Sequence, residues 1–284
     1  MGLGRITEGR VPTPSFSVDH VVIFVEDLGR ASDDYAALGF TIVPGGVHAD
    51  GLTHNALIPF ADGRYLELLA LTATWKRRVF RALARSGLDR VLTRRSPLLG
   101  RALRRIRSGG GLADFALACS PLGGVVGAGE IDGPVTGGRV RPDGQEVSWR
   151  LAFPRAAVLP FLIEDVTARH LRVPPNVTHA NGAAGVQALT VATGSFDRSV
   201  ASYQALLGRE PFETVAPIPR SLAVEFRLET VAIRILAPIG PTHPLRAPLA
   251  QRGDGLYGVV LRADRAANLD PVRAHRALIT LAKS

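Results

Sequence analysis

Residues 18–71 read VDHVVIFVEDLGRASDDYAALGFTIVPGGVHADGLTHNALIPFADGRYLELLAL. The stretch opens on an apolar, β-branched run, 18–25, which predicts a strand. Asp27 is placed to cap a helix over 28–38, and Gly39 to stop it. A strand at 40–43 ends in Pro44-Gly45-Gly46. A polar loop follows, then strands at 55–60 and 64–71 around the tight turn Ala61-Asp62-Gly63. The order is β-α-β-β-β. One histidine, His20, sits in the first strand, and one acid, Glu67, sits in the last. A buried imidazole and a buried carboxylate on neighbouring strands are costly unless paired or used.

The pattern recurs further along the chain. Residues 112–119 form an apolar strand, and a glycine-rich stretch, 120–138, stands where a helix would be. A hairpin around Pro142-Asp143-Gly144 and the apolar run 156–163 complete a second, eroded unit. After a Pro/Asn/Gly-rich linker, 167–184, GVQALTVATGSFDRSVASYQALLGREPFETV runs parallel to the opening stretch. Strands at 222–228 and 231–237 finish a third unit, and 255–262 begins a fourth. Residues 269–282, with Asp270-Pro271 at their start, predict a terminal helix. Repetition on this scale dictates the architecture. The expected fold is α+β: tandem β-α-β-β-β units pairing into half-open barrels. The expected domains are a tail over 1–17, a first half over 18–166 (units 18–71 and 112–166), and an abbreviated second half over 185–284.

Composition narrows the function. Apolar residues make up 46% of the 284, enough for a real core. There is no membrane-length apolar run and no signal-peptide h-region, and Cys119 is the only cysteine. These features point to a cytoplasmic protein without a disulfide framework. The net charge of +9 is concentrated. The segment 74–108 carries twelve of the basic residues and one acid, Asp89, with leucines at helical spacing. It reads as an Arg-rich amphipathic helical insert. The near-neutral remainder and the lack of a recognition motif argue against nucleic acid as a partner.

DHVVIFVEDL at 19–28, LGF at 38–40, PGGVH at 44–48, THNALIPF at 53–60 and YLELLAL at 65–71 together resemble the glyoxalase-like domain family. That family lies within the vicinal oxygen chelate superfamily of glyoxalases, bleomycin-resistance proteins and extradiol dioxygenases. RPDGQEVSWRLAF at 141–153 and LPFLIED at 159–165 extend the resemblance. It implies paired units around a cup whose metal ligands come from the first and last strands of each unit. His20 and Glu67 then occupy ligand positions for a divalent Fe, Mn, Zn, Co or Ni ion. Aligning the units by sequence puts Phe115 opposite His20 and Trp149 opposite Glu67. In unit three the counterparts are Gln187 and Arg234. A four-ligand set is therefore absent.

The resemblance also implies a small, oxygen-bearing organic substrate and lyase, isomerase or ring-opening dioxygenase chemistry. Glu67 and His48 are the catalytic candidates; Asn55, His54, Arg141 and Trp149 are candidates for contacting substrate. The alternative is a metal-free binding or sequestering protein on the same scaffold. His20 with Glu67 can also be read as a core pair, and Asp143 as a hairpin residue. Units exchanged in a homodimer are compatible with the sequence.

Overall fold

The computed structural model describes residues 14–73, 75, 79, 101, 109–126, 130–175 and 177–283. Apart from Trp75, Val79 and Arg101, the Arg-rich insert lies outside the described residues. The alternating apolar run at the start forms β1 (Ser15–Phe24), which takes in three residues assigned from sequence to the tail. Helix α1 (Leu28–Ala37) follows; the Asp27 side chain accepts the Arg30 backbone N–H at 2.8 Å, as a capping residue does. Strands β2 (Val43–His48), β3 (Thr53–Pro59) and β4 (Tyr65–Leu71) complete the first unit.

The second unit comprises β5 (Gly111–Ser120), β6 (Ile131–Val140), β7 (Glu146–Pro154) and β8 (Phe161–Asp165). Strand β6 reaches back into the glycine-rich stretch 120–138, ahead of the hairpin around Pro142-Asp143-Gly144. Its glycines are tolerated because β7 supplies a full antiparallel partner. A one-turn helix, α2 (Arg169–Arg172), ends this half.

The eight strands close into a barrel in the order β1-β4-β3-β2-β6-β7-β8-β5. The two units face each other about a pseudo-twofold axis. Val21 pairs with Phe115, and the pairs His20–Ala116 and Val22–Asp114 exchange places about that point. Closure at the opposite seam is narrow. Val47 and His48 pair with Val140 and Arg139, and a Cβ on Gly46 would stand 2.0 Å from the Val140 carbonyl oxygen.

The second half holds β9 (Gly185–Ala192), α3 (Phe196–Leu207), β10 (Phe212–Glu213), β11 (Ser221–Leu228), β12 (Val231–Pro238), α4 (Arg246–Arg252), β13 (Gly255–Ala263), β14 (Ala267–Asn268) and β15 (Ile279–Lys283). These strands make an open seven-stranded sheet, β10-β11-β12-β9-β13-β15-β14. The terminal helix read from sequence is not formed. His275 and Arg276 adopt positive φ, which breaks a helix, and Ile279 and Leu281 alternate as a strand pairing parallel with β13.

One apolar core joins the halves. The outward faces of β1, β4 and β5 (Val21, Ile23, Leu66, Leu68, Phe115) pack in the same cluster as Val186, Leu189, Phe226, Ile233 and Leu261 of the open sheet. A second cluster, including Val22, Leu69, Trp149 and Phe161, lies inside the barrel. Period-two alternation accounts for both: each barrel strand sends one set of side chains outward to the shared core and the other inward.

Candidate functional site

The inward residues of the barrel surround a cavity of about 360 Å³. His20, His48, Asn55, Glu67 and Trp149, all singled out from sequence, line it together with Arg139 and Phe161. His54 and Arg141 do not line it. His54 follows the opposite face of β3 from Asn55. Arg141 donates to the Leu171 carbonyl at 3.0 Å and pairs with Asp143.

His20 is fixed on every side. Its Nδ1 lies 2.6 Å from Asp19 Oδ1 and its Nε2 lies 3.4 Å from Glu67 Oε2. Its ring stacks on Tyr65 at 4.6 Å, with the edge of Phe161 across it. Burial lowers the basicity of such an imidazole, but the hydrogen bonds and charges of Asp19 and Glu67 raise it above the usual 6.5. Asp19 in turn accepts from Arg172 at 3.0 and 2.9 Å and pairs with Arg169. Arg172 also reaches Asp165 at 2.6 Å and the Tyr65 hydroxyl at 2.6 Å. Burial favours protonation of Asp19, yet Arg172 and His20 hold its carboxyl well below the usual range.

Glu67 accepts from Asn55 Nδ2 at 2.6 Å, and His48 Nε2 lies 3.7 Å from the same oxygen. Burial pushes the Glu67 carboxyl up. The His20 bond and charge, with His48 and Asn55, overcome this and hold it below its ordinary 4.5. His48 is oriented by Thr53 Oγ1, 2.6 Å from its Nδ1, and by the edge of Trp149. Burial, with Arg139 nearby, lowers the His48 imidazole below 6.5 despite Glu67. At neutral pH the cavity floor therefore holds an ionised Glu67 and a neutral His48, with His20 biased toward its protonated form. Arg139 stands beside them, 4% exposed, donating to the Arg172 carbonyl at 2.6 Å, with its Nε buried and unpartnered.

Asp19, Arg139, Arg172 and Tyr65 were not selected from sequence. Asp19 had a signal, since it is a charged residue inside an apolar strand. Arg139 stands two residues before Arg141 in the chain; its place on β6, paired with His48, is what brings it and not Arg141 to the cavity. Arg172 had no signal, because α2 is a single turn whose role depends on where the chain returns.

The register also corrects the alignment of units. Val22 pairs with Glu67 as Ala116 pairs with Phe161, and the twofold at Val21–Phe115 maps His20 onto Asp114. Asp114 and Phe161, not Phe115 and Trp149, are thus the unit-two counterparts of His20 and Glu67. In unit three the His20 counterpart is Ala188, because Thr190 pairs with Arg234 as Val22 does with Glu67. Gln187 instead corresponds to Asp19.

These residues do not fit a resident divalent metal. Among the described residues no three His, Cys, Asp or Glu side chains form a metal-holding group. Of the four register positions, Phe161 has no lone pair, and Asp114 is engaged by Arg101 at 2.7 Å. The buried guanidinium of Arg139 lines the same cavity and interacts with Glu67, so the site already holds a positive charge that disfavours a cation.

A family model for a glyoxalase-like domain matches residues 18–207. No curated protein matches significantly. Among solved structures, a hypothetical protein from Staphylococcus aureus is 13% identical, covers 95% of this chain and 100% of its own, and superposes with a TM-score of 0.66. This likeness concerns the fold. A methylmalonyl-CoA epimerase from Mycobacterium tuberculosis is 16% identical over 36% of this chain and 88% of its own, with a TM-score of 0.30. A hypothetical protein from Bacillus halodurans is 13% identical over 35% of this chain and 93% of its own, with a TM-score of 0.31.

Proposed function

The chain belongs to the glyoxalase-like domain family of the vicinal oxygen chelate superfamily, and from that premise we propose that it moves a proton on a small, anionic, oxygen-bearing organic molecule bound in the barrel. The observation that carries this reading is a neutral His48 facing the ionised Glu67 at 3.7 Å inside the cavity. A base must be unprotonated at its working pH yet still able to take a proton; the neutral imidazole of His48 suits this better than the strongly acidic Glu67.

In the proposed step, a C–H bond next to a carbonyl breaks and its proton passes to His48. The electron pair moves into the carbonyl, giving an enolate beside Arg139. Glu67, held by Asn55 and His20, stabilises the imidazolium as it forms. Return of the proton to a neighbouring carbon, or to the opposite face of the same carbon, completes an isomerisation. Trp149 and Phe161 wall the apolar part of the substrate. His54 and Arg141 are left out of this scheme because neither lines the cavity.

A second reading, binding without turnover, is favoured by the strong acidity of Glu67, which suits a fixed counter-ion rather than a working base. Proton exchange separates the two. Hydroxyketones, 2-oxo acids and malonate-type acids incubated with the protein in D2O should lose specific C–H signals in proton NMR. His48→Asn should slow that exchange about 10²-fold or more. Compounds that bind but never exchange would establish the second reading.

A further inference from the structure

Outside the barrel, the seam between the two halves holds a groove of about 860 Å³. Its walls include Phe24, Tyr257, Pro271 and Leu278, and two arginines, Arg252 and Arg276, enter it from different elements. Arg252 ends α4, and its Nε is buried with no hydrogen-bond partner. Arg276 is exposed, and its guanidinium donates to the Gly109 carbonyl at 3.4 Å. Among the described residues neither guanidinium has a carboxylate within salt-bridge reach.

The acids in the same groove are already engaged. Asp34 holds His275 at 3.1 Å and Arg30 at 3.7 Å, Asp27 caps α1, and Glu26 has a partner of its own. Burial and the neighbouring charge of Arg276 both lower the basicity of Arg252, as expected of two cations brought together without a counter-charge.

The backbone that presents Arg276 is unusual. His275 and Arg276 are consecutive non-glycine residues at φ 51° and 68°. The pair is locked by the Arg276 N–H to the Pro271 carbonyl at 2.7 Å and by stacking of His275 on Tyr35. Residues kept in this region need surrounding structure to hold them, and they concentrate at ligand clamps.

We propose that this groove is a second ligand site, for an organic anion whose phosphate or carboxylate head is held between Arg252 and Arg276 and whose apolar body lies along Tyr257 and Phe24. A planar guanidinium pairs with two oxygens of either head group, and an aromatic wall suits a flat or acyl body. The site draws on both halves, so its occupant stabilises their packing.

Isothermal titration with 1-naphthyl phosphate, 1-naphthoate and neutral 1-naphthol tests this on the full chain. At least one anion should bind tenfold or more tighter than naphthol; which one does so separates a phosphate from a carboxylate ligand. The double variant Arg252→Gln/Arg276→Gln should lose that advantage, and Arg276→Gln alone, an exposed change, should lose part of it. Arg139→Gln, in the barrel, should leave it intact. The proposal is overturned if neither anion binds at millimolar concentration, if naphthol binds equally well, if the groove variants bind like the parent, or if Arg139→Gln abolishes binding. The last outcome would place the ligand in the barrel and leave the barrel reading standing.

Discussion

Asp19 and His20 are neighbours in the chain, yet both side chains enter the barrel, where they meet at 2.6 Å. Strict alternation forbids this. The register shows how it arises: Val18 pairs with Leu117 and His20 with Ala116, so Asp19 is an extra residue in a bulge. Bulges re-aim side chains in this way. The same irregularity recurs about the twofold at Ala113, whose methyl group carries nothing polar to place there.

Removing the charge of Asp19 should be severe. Asp19→Asn leaves Arg172, 2% exposed, with Asp165 as its remaining carboxylate, and uncouples His20. Breaking a buried ion pair by removing one partner costs about 3–5 kcal/mol. Urea unfolding should report a loss in that range. A loss under about 1 kcal/mol would show that the network is not tightly coupled.

Stability should depend on pH from both sides. Glu67 is depressed below 4.5, so its contribution is present at neutral pH and is lost as pH falls through its folded value. His48 is also depressed, so its contribution is present above 6.5 and declines as pH falls. His20 is raised, so its contribution is full below 6.5 and declines as pH rises through its folded value. Unfolding free energies measured from pH 3 to 9 should form a dome. Glu67→Gln should flatten the acid limb and return the His20 titration, followed by NMR, toward 6.5. An unchanged His20 midpoint would mean that Glu67 does not sustain its charge.

Gly137 sets the shape of the cavity. A Cβ there would stand 2.3 Å from Trp149 Nε1, so Gly137→Ala must displace the indole. Overpacking of this kind costs about 1–3 kcal/mol. The variant should remain folded by circular dichroism while barrel ligands bind tenfold or more weakly. Equal binding would remove Trp149 from the site.

The two halves should unfold together, because one core cluster contains the outer face of the barrel and the inner face of the open sheet. Phe226→Ala, far from the cavity, should cost about 3–5 kcal/mol and lower the melting temperature of the whole chain. Calorimetry should show one transition. Two transitions, with only one shifted, would contradict a shared core. Tyr35→Phe, which removes a 3.0 Å hydrogen bond to the Ala274 carbonyl across the seam, should cost about 1 kcal/mol.

Much of this was legible in the order of residues. Alternating apolar runs, Asp27 and Gly39 mark β1 and α1, and their recurrence at 185–207 marks the repeat, because strand and helix periods are local properties of the chain. His20 and Glu67 were legible for the same reason, as polar residues inside apolar strands. His48, Asn55 and Trp149 were reached only through the family resemblance; His48 read as part of a polar loop, and pairing with Arg139 and with the strand of Asn55 is what puts it on β2. Residues 269–282 were misread because Ala274, Ala277, Leu278 and Leu281 fall at helical spacing while Ile279 and Leu281 alternate as in a strand, and only pairing with β13 selects the strand.

The sequence by itself determined the repeated β-α-β-β-β unit and most of the residues that face inward. Tertiary structure alone decided the rest. The bulge at Asp19, the closure at Gly46–Val140, the choice of Arg139 over Arg141 and the return of α2 with Arg172 all depend on register between strands distant in the chain. Register is settled by the joint packing of both sheet faces, not by any window of residues.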